Sequence, residues 1–225
     1  MGHRREPIVQ GEWYHCYTRG IDGRATYNDQ FDYQRFTQAL YLSNSAKTIE
    51  RSSFWKLAHN DVFSLPRDEP LVAIGAYALM PNHFHLLLKE QVEGGISQFM
   101  QRLGTSYTKY FNERHDRIGS LFVRPFRSRH VGTDSYLRRI VSYIHCNPAE
   151  IFEPGWKDGR VTNVRKLKEK LEEFPHASLF DYVGKTRPER NLLDNAIIKD
   201  LLNEQMPPLQ ELLPEMIEYY KTLSY

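Results

Sequence analysis

The sequence predicts an α+β domain on an antiparallel sheet, followed by a helical extension. Three observations predict it. Strand-like runs occur at 12–20, 71–80 and 83–89, segments of helical period separate them or follow them, and the character of the chain changes beyond Pro154-Gly155. The run from Glu12 to Gly20 is rich in aromatics and stops at a glycine, as a strand does. Asp29 then caps a helix through Phe31, Tyr33, Phe36, Leu40 and Leu42. Residues 46–69, with Pro66 and Pro70 at their end, read as an excursion with a short helix near Phe54–Leu57. Leu71 to Met80 is a buried strand, Pro81-Asn82 turns the chain, and His83 to Lys89 returns it.

Gly94-Gly95 precedes a long helix whose apolar residues Ile96, Phe99, Met100, Leu103, Tyr107 and Phe111 keep helical spacing. Leu121-Phe122 and Phe126 to Val131 form one or two short extended segments. Thr133 or Asp134 caps a helix from Ser135 to Cys146, which Pro148 is expected to terminate. The first six elements follow the β-α-β-β-α-β order of ferredoxin-like domains, with helices on one face of the sheet and the other face free for a ligand. The expected division is a domain at 1–150 and an extension at 151–225 with helices at 164–174, 192–204 and 209–223.

Of the 225 residues, 40% are hydrophobic and 26% charged, which excludes a disordered or collagen-like chain. Cys16 and Cys146 make no disulfide framework, the N-terminus lacks the apolar run of a signal peptide, and Leu71 to Met80 is too short to cross a bilayer. These features predict a cytoplasmic protein with no membrane partner. The net charge of +2 conceals a segregation: residues 99–147 hold nine basic and three acidic side chains, whereas 186–225 hold four and seven. A basic middle of this kind fits a local anionic partner.

His83 and His85 flank one residue of a strand, so both imidazoles point to one face and together offer two ligands to a divalent ion. The same pattern also suits two ordinary strand histidines. Tyr143 and Asn147 stand four residues apart on one face of the later helix. Core packing equally explains that tyrosine, and a helix-end hydrogen bond equally explains that asparagine.

Three motifs occur in order: Tyr14-His15-Cys16-Tyr17-Thr18-Arg19-Gly20, Tyr77 to Leu88 with its Met80-Pro81-Asn82-His83-Phe84-His85 centre, and Tyr143-Ile144-His145-Cys146-Asn147-Pro148. Together they resemble the single-tyrosine transposases of the His-hydrophobe-His (HUH) superfamily, particularly the REP-associated tyrosine transposases, over roughly residues 10–150. The resemblance implies that His83 and His85 are metal ligands, Asn147 the third ligand and Tyr143 the nucleophile. It implies single-stranded or hairpin DNA as the partner, a 5′-phosphotyrosine intermediate and a monomer rather than a homodimer. Two imidazoles and an amide, completed by phosphate oxygens and water, suit Mg²⁺ or Mn²⁺.

The basic band between the His strand and the tyrosine supplies candidate DNA contacts: Arg102, Arg124, Arg127, Arg129, Arg138 and Arg139, with the earlier Arg19. Lys109, Arg114 and Arg117 lie in the same band. The chain departs from the resemblance in two places. Ala149-Glu150-Ile151-Phe152-Glu153 is acidic where relatives are basic, and His176 replaces a tryptophan. A non-catalytic nucleic-acid-binding regulator is the alternative function, and a hydrolase in which water attacks is a third.

Overall fold

The computed structural model describes residues 7–47, 57–196, 199 and 209–222. Strand β1 (Trp13–Arg19) leads to helix α1 (Gln30–Ser43), β2 (Val72–Met80), β3 (His83–Glu90), helix α2 (Gly95–Arg114) and β4 (Arg127–Val131). The sheet order is β2-β3-β1-β4, every neighbouring pair antiparallel. β1 and β2 therefore run parallel on either side of β3, and β3 and β4 on either side of β1. This is the split β-α-β arrangement expected of a ferredoxin-like fold. The expected short helix near Phe54–Leu57 and most of that at 192–204 lie outside the described residues.

Local chemistry accounts for the boundaries. The Asp29 carboxylate accepts from the amides of Phe31 and Asp32 at the start of α1. The Thr133 hydroxyl accepts from Tyr136 N and so is the cap of α3 (Asp134–Cys146). β2 is buried along its whole length, as a continuous apolar run should be. Its pairing with β3 slips between Ile74 and Ala76, leaving Gly75 as the bulged residue, where an added Cβ would stand 3.0 Å from Leu87 and 3.1 Å from Trp13.

The sheet separates two layers. Phe84 points into the α1–α2 layer, its ring 5.0 Å from that of Phe36, while His85 points to the opposite face. That face is not free, contrary to the expectation from sequence, because α3 lies across it and meets β2, β3 and β4. The amphipathic α3 buries Ile140, Val141, Tyr143 and Ile144, an apolar stripe that a solvent-facing helix would not carry. Pro148 does not end the helical path either. Asn147 and Pro148 keep helical angles, and one further turn, α4 (Ala149–Phe152), follows directly. A proline without an N–H is tolerated where a new turn begins.

The extension closes the β2 edge of the sheet. Leu79 N donates to His176 O, Ser178 N donates to Tyr77 O, and Ala177 bridges Ala78 antiparallel. Helices α5 (Val164–Glu173) and α6 (Leu179–Tyr182) flank this segment, and α7 (Leu209–Thr222) packs on α3. A buried ion pair holds the edge segment in place. Arg187 Nη2 lies 2.6 Å from Asp181 Oδ2 and donates to Tyr77 Oη and Ala177 O, while Nη1 donates to Pro175 O. Asp181→Ala strands that guanidinium and is expected to cost about 3–5 kcal/mol of unfolding free energy, read by urea denaturation. A loss below about 1 kcal/mol would show that the clamp carries little of the fold.

Candidate active site

The strand register assembles one functional face. Residues directly opposite one another in an antiparallel pair share a face. Tyr17 pairs with His85 and with Arg127, Arg19 with His83, and His15 with Leu87 and with Arg129. One row across the sheet thus reads Ala78, His85, Tyr17, Arg127, and the next begins Met80, His83, Arg19. A cleft of about 260 Å³ opens at this end, lined by Tyr17, Arg19, His83, His85, Glu150 and Lys157 among others.

The two histidines of the motif are set differently. His83 is partly exposed, and its Nδ1 lies 2.7 Å from Asn82 Oδ1; Asn82 Nδ2 in turn donates to Gly23 O. Because an amide oxygen only accepts, His83 Nδ1 carries the proton and Nε2 keeps its lone pair. His85 is fully buried, with Nδ1 2.9 Å from His15 Nε2 and Nε2 without a hydrogen-bond partner. Burial holds the His83 imidazole down to about 4, with Glu150 opposing and Lys157 reinforcing the shift. Burial, then His15, His83 and Lys157, keeps His85 well below its usual range. Burial, then Arg129, lowers His15 to about 3. All three are neutral imidazoles at physiological pH, the form that binds metals.

Tyr143 of α3 meets this face. Its ring stands edge-on to His85 at 5.5 Å and to His15 at 5.4 Å between centroids. The structure thus joins the two motifs that are 58 residues apart in sequence. Tyr143 is nonetheless fully buried, with Tyr219 of α7 packed 4.9 Å away on its ring, and the cleft is lined by His85 and not by the phenol. Asn147 is buried, and its Nδ2 donates to Tyr143 O at 2.9 Å, the helix-end bond that sequence reasoning allowed for.

The arginines divide. Arg19 and Arg127 line the cleft, and Arg124 is exposed at its margin, joined to the cleft-lining Pro125. Arg129 interacts electrostatically with the hydroxyls of Tyr136 and Tyr219, and Arg139 pairs with Glu215 of α7 at 2.5 Å. Arg138 is exposed on α3. Arg102 donates to Ser45 O in the α1–α2 layer, on the far side of the sheet from the histidines. Arg114 likewise bridges Asp29 and Asp32, tying the end of α2 to the start of α1. A cluster in sequence is therefore not a single patch in space.

Sequence reasoning assigned no function to His15, Tyr17, Glu150 or Lys157. The first two share the period-two face of β1 with Arg19, a signal that becomes specific only once the register is known. Glu150 reaches the cleft because α4 continues the helical path of α3, and it is ion-paired with Lys157. Among the described residues, no group of three His, Cys, Asp or Glu side chains could hold a metal. The donors that fit a divalent ion are the two histidine Nε2 atoms, completed by an amide or by oxygens of substrate and water.

The model of the family described as "Transposase IS200 like" matches residues 42–147. No curated protein matches the chain significantly. A solved structure described as a REP-associated tyrosine transposase bound to a REP hairpin aligns with a TM-score of 0.51 at 16% identity, covering 84% of this chain and 90% of that one. That likeness shows the shared fold. The family match runs from the end of α1 to the end of α3 and so spans both the His strand and the tyrosine helix; over these residues the chain is similar to the IS200-like transposases.

Proposed function

We propose that this protein nicks and rejoins single-stranded or hairpin DNA through a covalent 5′-phosphotyrosine at Tyr143. The observation that carries the reading is the placement of the Tyr143 ring against His85, on a sheet face whose open end carries Arg19 and Arg127. In this reading residues 1–150 carry the chemistry and 151–225 support it. The solved structure of similar fold is described as bound to a REP hairpin, which supports a structured single strand as the substrate class.

His83 and His85 through Nε2, with Asn147, would hold a divalent ion, Mg²⁺ or Mn²⁺. Such an ion supplies charge neutralisation and orientation at the non-bridging phosphate oxygens. Arg19 and Arg127 bind the strand by its phosphates. The Tyr143 oxygen forms a bond to phosphorus as the bond from phosphorus to the 3′-oxygen breaks. The phenol loses one proton, and the departing 3′-oxygen gains one. The phosphotyrosine keeps the bond energy, so a 3′-hydroxyl reverses the step and joins strands without ATP. Because the phenol is packed between His85 and Tyr219, the DNA-bound state in this reading requires it to turn toward the cleft.

A binding-only regulator is the second reading, and the burial of Tyr143 favours it. A library of 3′-labelled hairpin oligonucleotides incubated with the protein and Mn²⁺ separates the two. The catalytic reading expects a protein–DNA adduct that survives denaturing electrophoresis and disappears with protease. Salt-sensitive binding with no adduct anywhere in the library would establish the regulator instead.

A further inference from the structure

We infer that His15 is a positioning residue for metal binding: through its Nε2 it fixes the tautomer and orientation of His85, so that His85 Nε2 is presented as a ligand. The inference rests on the metal reading of His83 and His85 given above, and it concerns the β1 residue that lies behind that pair.

An imidazole can ligate only through a nitrogen that has no proton, and its other nitrogen then carries the N–H and needs an acceptor. His83 finds that acceptor in Asn82 Oδ1, at 2.7 Å. The corresponding partner of His85 is His15 Nε2, at 2.9 Å, in a fully buried pair. Among the described residues, no carboxylate or carbonyl is hydrogen-bonded to this nitrogen. With Nδ1 engaged, only Nε2 of His85 remains to bind an ion, and it is buried with no partner.

The pair has two possible proton arrangements. If His85 Nδ1–H donates to His15 Nε2, His15 carries its own proton on Nδ1, which is also buried without a partner, and His85 Nε2 has its lone pair free. If His15 Nε2–H donates instead, the proton of His85 sits on Nε2 and the residue cannot ligate at all. Each arrangement leaves one buried N–H without an acceptor, so neither is strongly preferred by the protein alone. A metal at His85 Nε2 is compatible only with the first. The rings of His15, Tyr17 and His85 are stacked within 4.9 to 5.6 Å of one another, at 23° to 30°, which restricts the imidazoles to this geometry.

The test compares three substitutions by Mn²⁺ titration of the DNA-free protein, read by electron paramagnetic resonance of the free ion. His15→Gln carries an amide oxygen near the position of Nε2 and is expected to bind Mn²⁺ within about threefold of the wild type. His15→Asn, one methylene shorter, and His15→Leu cannot supply that acceptor and are expected to raise the Kd about 10–100-fold. Thermal melts and far-UV circular dichroism accompany each variant, and the Gln–Asn contrast keeps the test informative if Leu fails to fold. Wild-type affinity in Asn and Leu would overturn the inference, as would an equal loss in all three, which would mean packing alone. His83→Ala is the control for the underlying reading. If the wild type binds no better than this variant, the metal site itself fails, and the inference with it.

Discussion

Tyr143→Phe is expected to abolish the covalent protein–DNA adduct, with strand cleavage falling by at least about 10³-fold. The substitution keeps the ring that packs against His15, His85 and Tyr219 and removes one hydroxyl. Its cost in stability should stay near 1 kcal/mol, and binding of a hairpin through the exposed Arg19 and Arg127 should be unchanged. The combination separates three mechanisms. A tyrosine nucleophile loses adduct and cleavage together. A water nucleophile keeps cleavage in Tyr143→Phe and loses it in His83→Ala. A regulator shows neither in any variant. An adduct that persists in Tyr143→Phe would move the nucleophile to another residue, and Tyr17, which lines the cleft beside His85, is the side chain to replace next.

Acidification is expected to unfold the metal-free protein well above the pH at which carboxylates titrate. His15, His83, His85, His145 and His176 are all held below the ordinary value of 6.5, each chiefly by burial. His15 and His145 are held down to about 3, and His83 and His176 to about 4. The sign follows from proton uptake. Below pH 6.5 the unfolded chain protonates these rings and the folded chain does not, so stability present above 6.5 is lost as pH falls toward 4. One pH unit below 6.5, each ring favours the unfolded state by about 1.4 kcal/mol, and five together by about 7 kcal/mol. A loss of that size is comparable with the whole stability of an ordinary domain. Urea unfolding at pH 7.5, 6.5 and 5.5 measures the slope. His145→Gln, which keeps an amide within reach of Ser178 Oγ, should remove about one proton from it. A stability that is flat from pH 7 to 5 would show that the rings are protonated in the fold.

How much of this was legible in the sequence differs from element to element. The order β-α-β-β-α-β followed from runs of period two and 3.6, because each element writes its own periodicity into its residues. The common face of His83 and His85 followed from strand geometry alone. That Tyr143 meets this face required the resemblance, since no local signal connects a strand to a helix so far along the chain. The partnership of His15 with His85 depends on which strand lies beside β3, a property of topology. The edge segment His176-Ala177-Ser178 was invisible because three residues carry no period; their pairing is imposed by β2 and by Arg187. The basic band misled in part for a related reason. Arg102 and Arg114 are spent on a carbonyl and on two carboxylates of α1 and its cap, contacts that composition cannot foresee.

The covered edge of β2 also bears on how two copies of this chain can meet. A sheet grows by adding strands at whichever edge leaves its backbone unpaired. The segment His176–Ser178 occupies the β2 side, so continuation from one molecule to the next is confined to β4. β4 is five residues long and carries Arg127, Arg129 and His130. Two such edges brought together would oppose like charges along a short ladder. The fold thus protects one edge sterically and the other electrostatically, and strand-to-strand polymerisation is disfavoured at both.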